Sequence, residues 1–401
     1  VAGASTTSPA DEVTFDINNQ GTAVGSESGT GSDEVAAVTI TTGSLTANDT
    51  KTVNINGSDG SFHVDGAVAA NGAETLSISN PDGDALFQAA DETDLTAGSS
   101  AALGSAANTT TIDASGVTGT FLAKTAANFE NSVDLIGGSG ADILEVDNQN
   151  STDDGATSLD IITGAGDDTV TLNELSNGGT TADKDTRLTA DLGDGDDTLV
   201  FNTAAAGAGA GGNLFLSSGQ HVLDFGDGDD TLDVTAGTGS TFDLRDAEEI
   251  DGLTDIQIDG GNTLQLDGGA TAEDAINVLS LGSDTIQVDT DGAGTIDLSS
   301  FTFQGGSNLT VKLNGGDDAG GDDITGSSLA DTITGGDGTD TIDLGSDSVE
   351  DTVVYGATNA TELASEGGAD EEIINFDAGT DTIQFNQGVL ATDGGTDIAT
   401  G

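Results

Sequence analysis

A nine-residue unit over residues 335–343, Gly-Gly-Asp-Gly-Thr-Asp-Thr-Ile-Asp, constrains the fold of this chain more than any other feature. Its glycines permit the positive φ angles of a tight turn, and its last three residues can form a short strand whose Ile342 faces a core. Like residues fall in line in steps of nine: Asp340, Asp331 and Asp322, and Ile342, Ile333 and Ile324. Three turns in register predict a repetitive β structure in which each turn leads into a short buried strand.

The same unit recurs upstream. It is complete over residues 137–144, lacks only its first glycine over residues 164–170, and occurs as near-identical copies over residues 193–199 and 226–232. The fixed aspartate offers a carboxylate and the turn offers inward-pointing carbonyls, which are the oxygen ligands that Ca²⁺ prefers. We therefore predict calcium sites in these turns. The predicted metal-site residues are Gly137, Gly138, Gly140, Asp142, Gly164, Gly166, Asp168, Gly193, Gly195, Asp197, Gly226, Gly228, Asp230, Asp322, Asp331, Gly335, Gly336, Gly338 and Asp340.

These units resemble the glycine- and aspartate-rich nonapeptide repeats of RTX proteins. The resemblance covers the clear repeats and, in weaker form, much of the chain after about residue 106, and it implies a parallel β-roll with calcium in the turns. A flexible Gly/Asp-rich linker is the alternative, but linkers do not keep an apolar residue two places after each aspartate. Long inserts separate the repeats between residues 137 and 233, so their ions are expected in isolated turns instead of one continuous row.

The charge of the chain also indicates bound cations. With 72 acidic and 6 basic residues its formal net charge is -66, and aromatic residues make up 3% of it. Such a composition is typical of disordered chains, because self-repulsion is large and little apolar surface is available. Each bound divalent cation cancels two carboxylate charges, and ions that bind only the folded state stabilise it. A high-salt habitat is a compatible alternative, but aspartates at fixed offsets from glycine favour metal ligands over a merely solvated surface.

We predict an all-β chain with three regions. Residues 1–105 lack the repeat but contain short stretches of alternating apolar and polar residues, which predict an N-terminal β-sandwich-like domain. Residues 106–345 carry the repeats, with degenerate alternating pairs between them, and predict a calcium-binding parallel β-roll or β-solenoid. Residues 346–401 are predicted to form a C-terminal β cap region, in which residues 370–385 resemble the segment that often closes RTX β-rolls.

No catalytic constellation is visible in the sequence. The two histidines, His63 and His221, lie far apart, and neither a His-Glu-x-x-His helix nor a Gly-x-Ser-x-Gly elbow occurs. Both histidines are predicted to be strand or turn residues, and acidic pairs are too numerous to indicate a glycosidase. Two short helices, predicted over residues 121–130 and 271–279, carry no evident chemistry. We therefore predict that the chain is not an enzyme.

Partners and location follow from what the composition excludes. Six basic residues argue against nucleic-acid binding, which requires clustered Lys or Arg. No apolar run approaches the length of a transmembrane helix. The chain contains no cysteine, so it cannot form disulfides or zinc sites of the Cys type, and metal must supply the cross-links. Together these features indicate an extracellular, calcium-rich location.

Three functions fit these features. The first is a secreted calcium-dependent structural protein that self-assembles on the cell surface as an S-layer lattice or extracellular fibre. RTX-type S-layer proteins resemble this chain in their low Cys and Met and their abundant Thr, Gly, Ala and Asp, which implies copies of itself as partners and export by a type I secretion system. Cell-surface polysaccharide is a further expected partner. The second function is a calcium-rigidified adhesin or biofilm-matrix protein, and the third is a secreted enzyme of unrecognised type.

Overall fold

The computed structural model shows a parallel, all-β architecture. It describes residues 12–18, 38–40, 45–46, 51–58, 60–64, 68–69, 73–87, 102–103, 108–125, 132–146, 158–173, 187–202, 214–215, 221–245, 247–268, 275–290, 294–305, 308–316, 320–355 and 372–385. These ranges contain strands and no α-helix. In the same ranges no helix is long and apolar enough to cross a membrane. The prediction of an all-β chain is therefore confirmed.

The chain divides into two compact units. The first comprises residues 1–214, 218–233 and 248–253, and the second comprises residues 215–217, 234–247 and 254–401. In both units every strand pair whose register is described is parallel. With one exception, successive strands belong to different sheets, so the chain coils, and a typical coil adds one strand to each sheet it visits. This arrangement is the solenoid-like stacking that the repeats predicted.

Two long sheets build the first unit. One has the order β1 (Glu12–Asn18), β4 (Thr52–Ser58), β7 (Thr75–Asn80), β10 (Thr111–Val117), β12 (Val133–Ile136), β14 (Ser158–Ile162), β16 (Arg187–Asp191), β19 (His221–Asp224) and β22 (Ala247–Asp251). The other contains β2 (Val38–Ile40), β5 (Phe62–Val64), β8 (Ala85–Leu86), β11 (Phe121–Thr125), β13 (Ile143–Val146), β15 (Thr169–Asn173), β17 (Thr198–Asn202) and β20 (Asp230–Val234), with β9 (Ala102–Leu103) beside β11. A separate pair joins β3 (Leu45–Thr46) to β6 (Val68–Ala69).

The core of the first unit is a set of aliphatic ladders that run from coil to coil. In one of them Leu144, Val170, Leu199 and Leu232 occupy the same register position of four neighbouring strands. All four side chains are fully buried or nearly so. Burying a side chain of this size contributes about 1.5–3 kcal/mol. The ladder fixes the register, because a shift by one residue would turn every apolar side chain outward.

The described residues do not show the separate N-terminal β-sandwich-like domain that we predicted. β7 pairs in parallel with β4 before it and with β10 after it, so sheet pairing continues past residue 105. The alternation of apolar and polar residues is the same in a sandwich strand and in a solenoid strand, and for that reason the sequence did not distinguish them. The predicted boundaries of the three regions stay predictions.

The strands of the second unit belong to three of the chain's five sheets. The first contains β23 (Leu253–Ile258), β25 (Asn277–Ser280) and β28 (Thr302–Gly305). The second contains β18 (Leu214–Phe215), β21 (Thr241–Asp243), β24 (Thr263–Asp267), β26 (Thr285–Asp289), β29 (Thr310–Asn314), β31 (Asp331–Thr334), β33 (Thr352–Tyr355) and β35 (Thr382–Phe385). The third contains β27 (Thr295–Asp297), β30 (Asp323–Thr325), β32 (Thr341–Asp343) and β34 (Glu372–Ile374).

The nine-residue unit is half a coil in the second unit, not a whole one. Ile324 pairs with Ile342, eighteen positions later, in β30 and β32. Ile333, midway between them, lies in β31 and pairs with Leu313 and Val353 in a different sheet. Two successive nonapeptides therefore make one coil, with a turn and a strand on each side.

Both helix predictions were wrong where the structure describes the chain. Phe121–Thr125 is strand β11 and Asn277–Ser280 is strand β25. Phe121 pairs with Ala85 and is fully buried, so coil stacking overrides the local preference. Residues 126–130 and 271–274 lie outside the described residues.

Candidate metal centre

A row of four buried aspartates runs through the first unit. Asp142, Asp168 and Asp197 each directly precede a strand, and Asp230 opens one. The backbone N–H of each donates to Oδ1 of the next, at 2.6 Å from Asp142 to Asp168, 2.7 Å from Asp168 to Asp197 and 2.8 Å from Asp197 to Asp230. We call these four residues the aspartate ladder. It lies in successive turns, one aspartate per coil.

The aspartates are placed by the strands that follow them. Thr169, Thr198 and Thr231, each one residue after a ladder aspartate, pair with one another in register. The aliphatic residue after each threonine lies in the core, so the ladder side chains are held in position by the packing beneath them. The local sequence Asp-Thr-aliphatic therefore specifies, in three residues, the end of the turn, the start of the strand and a core position.

The ladder is continuous, contrary to our expectation of isolated turns. Its steps span 26, 29 and 33 residues, yet each step ends in the same hydrogen bond. The length of the chain between turns differs from coil to coil. The segments that account for this include residues 147–157, 174–186 and 203–213, which lie outside the described part of the chain. Inserts in these positions leave the register of the turns unchanged.

The predicted glycines line the turns that carry the ladder and its counterpart in the second unit. Positive φ values occur at seven of the twelve, namely Gly164, Gly166, Gly193, Gly195, Gly226, Gly336 and Gly338, and not at Gly137, Gly138, Gly140, Gly228 and Gly335. Gly193, at φ 93°, shows why no other residue fits, because a Cβ there would overlap the carbonyl oxygen of Gly164 in the neighbouring coil. Gly228 lacks a positive φ, but a Cβ on it would overlap the Gly195 carbonyl. The turns therefore stack with backbone directly on backbone.

The second unit holds two shorter rows of the same kind. The Asp322 N–H donates to Asp340 Oδ1 at 2.9 Å. The Asp331 N–H donates to Asp351 Oδ1 at 2.9 Å, and the Asp351 N–H donates to Asp381 Oδ1 at 3.2 Å. Asp331 thus belongs to a different row from Asp322 and Asp340, although the three fall in line in the sequence. This separation follows from the two turns per coil.

Burial makes these carboxylates costly to ionise. It raises the pKa of Asp142, Asp197 and Asp331 to about 7 and that of Asp351 to about 6. Neighbouring aspartates add to the effect: Asp168 and Asp230 both raise the pKa of Asp197. Burial raises the pKa of Asp168, Asp230 and Asp340 as well. A cation beside such a carboxylate would favour its ionised form.

Three ladder-type carboxylates have an oxygen that nothing satisfies within the described residues. The Oδ2 atoms of Asp168, Asp197 and Asp340 are buried and accept no hydrogen bond. By contrast, Asp142 accepts from the N–H groups of Phe121 at 2.7 Å and Gly138 at 2.5 Å, one for each oxygen. A buried unsatisfied carboxylate oxygen calls for an explanation, and an unseen cation is one of the few available.

Carboxylate and carbonyl oxygens are the kind of ligand that calcium prefers, but the side chains alone are too few to complete a calcium site. Among the described residues, no three Asp, Glu or His side chains are grouped closely enough to hold a metal ion. Calcium takes 6–8 oxygen ligands, so an ion at a ladder turn would need backbone carbonyls as well as one or two carboxylates. The stacked glycine turns bring such carbonyls close together: the oxygens of Gly166 and Gly195 both point toward the next turn.

Sequence reasoning missed several aspartates in equivalent places. Asp284, Asp351 and Asp381 each accept a backbone N–H from a neighbouring coil. The signal was available, since each begins an Asp-Thr-aliphatic triplet like those of Asp168 and Asp197. Asp284 differs in its saturation, because it accepts four hydrogen bonds, from the N–H groups of residues 261, 262 and 282 and from the hydroxyl of residue 280. These four hydrogen bonds hold its turn in place.

The two histidines lie in strands, and the contacts of the His221 side chain are described. His221 is buried at the start of β19, and its Nδ1 accepts the N–H of Leu188 at 3.0 Å. His63 lies in β5. Both are strand residues, as predicted.

No family model, curated protein or solved structure matches the chain. What can be said of its function therefore comes from the ladder geometry and the charge of the chain.

Proposed function

We propose that this chain is a secreted, calcium-dependent structural protein of the RTX type, in which ions bound at the stacked turns hold the coils together. The observation that carries the proposal is the buried, unsatisfied Oδ2 of Asp168, Asp197 and Asp340. Each lies in a glycine-rich turn whose neighbours stack backbone on backbone. Calcium would be held by these carboxylates and by the carbonyls of the adjacent turns. The ion supplies positive charge that the chain itself lacks.

Electrostatics favours the same conclusion. Neighbouring parallel strands lie about 4.8 Å apart, and two unit charges at that distance repel by about 3 kcal/mol at an effective dielectric constant of about 20. The ladder carries four such carboxylates in successive coils. Fully ionised and without counter-ions, it would therefore oppose the stacking that the hydrophobic core favours. Protonation or divalent cations can relieve this repulsion. Above pH about 7, where Asp142 and Asp197 lose their protons, relief has to come from cations.

We extend the proposal to location and assembly. A subunit with a formal net charge of -66 cannot pack against copies of itself without counter-ions. Outside the cell, millimolar calcium would supply them. We propose export by a type I secretion system and assembly on the cell surface into a lattice or fibre, with calcium also bridging neighbouring copies. Cell-surface polysaccharide is the proposed anchor. The role is structural and not enzymatic.

Negative-stain electron microscopy of the purified chain tests the assembly. We expect sheets or fibres in millimolar calcium, single particles after chelation, and no recovery when magnesium replaces calcium, because magnesium gives up its water shell reluctantly. Analytical ultracentrifugation of the same samples gives the size distribution in solution. Arrays that persist unchanged after chelation would contradict a role for calcium in assembly. Single particles at every calcium concentration would contradict self-assembly.

A further inference from the structure

A lysine, a glutamate and two asparagines converge in the first unit, apart from the aspartate ladder. Lys124 Nζ lies 2.6 Å from Glu145 Oε1, and Asn173 Nδ2 donates to the same oxygen at 2.5 Å. Asn202 Nδ2 donates to the carbonyl oxygen Oδ1 of Asn173 at 2.8 Å. Glu145 and Asn173 are each only 5% exposed. The four side chains form a connected polar cluster in a largely buried place.

Sheet register explains why these residues meet. Lys124 of β11 pairs directly with Glu145 of β13, and Asn173 of β15 pairs directly with Asn202 of β17. Glu145 pairs with Thr171, so Asn173 lies two residues further along its strand and on the same face. The four side chains therefore come from four successive coils. Because β13 lies between β11 and β15, Glu145 lies between Lys124 and Asn173.

An ordinary ion pair does not account for the cluster. Glu145 Oε2 is buried and accepts no hydrogen bond within the described residues, although its partner oxygen has two donors. Such an arrangement is costly for a structural carboxylate. It suits a carboxylate that must accept a proton and pass it on, because both donors lie on one oxygen and the other oxygen is free to carry a proton.

We propose that Lys124 and Asn173 form an intramolecular isopeptide bond, with Glu145 as the proton carrier and Asn202 as the group that polarises the reacting carbonyl. Nζ and Nδ2 both contact Glu145 Oε1, so they lie no more than about 5 Å apart. For the reaction, Nζ must approach Cγ of Asn173, the carbon bonded to Nδ2, to a distance of about 3–3.5 Å. The proposal does not depend on bound calcium or on the proposed function.

The reaction is balanced with the groups present. Lys124 first transfers a proton to Glu145, which leaves a neutral amine as the nucleophile. Nζ then attacks Cγ of Asn173, and the Asn202 amide stabilises the negative charge that develops on Oδ1. Glu145 passes its proton to Nδ2 and takes up the second proton of the attacking Nζ, the Cγ–Nδ2 bond breaks, and ammonia leaves, carrying that second proton away as ammonium. The product is a secondary amide between Nζ and Cγ. No oxidant, metal or cofactor is needed.

Such a bond would tie β11 to β15 across β13. Three successive coils would then be joined covalently in a chain that has no cysteine for disulfides. Load applied along the coil axis would act on an amide bond instead of on backbone hydrogen bonds alone. This is the part of the first unit in which the ladder begins, so the covalent tie and the ion row would reinforce the same coils.

Intact-mass spectrometry of the full folded chain tests the proposal. We expect the mass of the chain to be lower than the sequence mass by one ammonia, and digestion to yield a branched peptide that links residue 124 to residue 173. The Glu145→Gln variant should keep the full sequence mass, with far-UV circular dichroism showing that it has folded. Lys51→Gln is the matched control, because Lys51 also forms a lysine–glutamate pair, with Glu74 at 3.0 Å, but one that is exposed. It should lose one ammonia as the parent chain does.

Three results would overturn the proposal. The first is a folded parent chain with the full sequence mass. The second is a loss of ammonia that maps to other residues or persists in Glu145→Gln. The third is a mass gain from hydrolysis of the Asn173 amide, which would show that water and not Lys124 is the nucleophile.

Discussion

Replacing Asp197 by asparagine separates the two roles that the account gives to a ladder carboxylate. Asp197 Oδ1 accepts the N–H of Asp168 at 2.7 Å, and an asparagine of nearly identical shape keeps that acceptor. The substitution removes the charge and replaces the buried Oδ2 by an amide NH₂ group. Any change in stability then reports on the charge and on ligation, not on packing.

Without calcium we expect the Asp197→Asn variant to be more stable than the parent chain above pH 7. Burial and the neighbouring aspartates raise the pKa of Asp197 from 3.8 to about 7, which corresponds to a cost of roughly 4 kcal/mol for the ionised folded state. The new amide leaves buried N–H groups without acceptors, at a cost of about 1–3 kcal/mol. The difference is a net gain of about 1–3 kcal/mol.

With calcium bound as we propose, the same substitution would remove one of its ligands. A tenfold to hundredfold loss of affinity lowers the stabilisation that calcium provides by about 1.4–2.7 kcal/mol. The calcium-induced increment in stability should therefore shrink, while the stability in chelator rises. Opposite changes in these two quantities are specific to a carboxylate that is both electrostatically strained and metal-bound.

Urea denaturation followed by far-UV circular dichroism measures both quantities, in chelator and in millimolar calcium. Asp134→Asn is the control, because Asp134 is an exposed residue of β12 and the substitution removes the same charge. The control should leave the calcium increment unchanged. A variant that is destabilised in chelator and keeps the full calcium increment would refute the reasoning.

Three further predictions concern the same turns. The pKa values of Asp142, Asp197 and Asp331 are raised in the folded chain, so between pH about 4 and about 7 the folded chain keeps protons that the unfolded chain has released. Proton binding in chelator therefore stabilises the fold fully below pH about 4, and this contribution is lost as the pH rises through about 7. The urea midpoint in chelator should accordingly fall and not rise with pH. Gly193→Ala should cost well over about 1 kcal/mol in urea denaturation, because its Cβ would overlap the Gly164 carbonyl at φ 93°, whereas Gly239→Ala, at φ 64° with open space around it, should cost only about 1 kcal/mol; equal costs would argue against close stacking. Asp340→Ala should weaken calcium binding and increase hydrogen exchange at Ile342 but not at Leu199 in the first unit; an unchanged calcium-dependent melting curve would argue against Asp340 as a ligand.

The parallel coil could be predicted from the sequence because its parts repeat at fixed offsets. An aspartate two residues before an aliphatic residue defines a turn and a core position at once, as Asp197 and Leu199 show. These offsets survive inserts of different length, since the inserts enter between turns. The continuity of the ladder could not be predicted, because it depends on which coils become neighbours in space.

The size of a coil was also hidden in the sequence. A repeat of nine residues suggests one turn for each coil, whereas the structure uses two repeats for each coil and places Ile333 in a different sheet from Ile324 and Ile342. A one-dimensional period gives the length of the repeated unit but not the number of units needed to close a coil. The N-terminal strands keep the strand alternation without the nonapeptide, and this alternation alone does not distinguish a sandwich-like domain from solenoid coils.

The polar cluster around Glu145 could not be predicted from the sequence. Lys124, Glu145 and Asn173 are separated by 21 and 28 positions, and no motif links them. Only the register of β11, β13 and β15 brings them to one face. Contacts of this kind arise from coil stacking, which a single sequence does not specify.

The calcium dependence of folding is the most direct test of the central claim. Thermal unfolding of the full chain near neutral pH, followed by far-UV circular dichroism at constant ionic strength, should show a markedly higher melting temperature in millimolar calcium than in chelator, with recovery when calcium is restored. Sodium or magnesium at the same ionic strength should not restore it. An identical spectrum and melting temperature in calcium and in chelator would contradict the account.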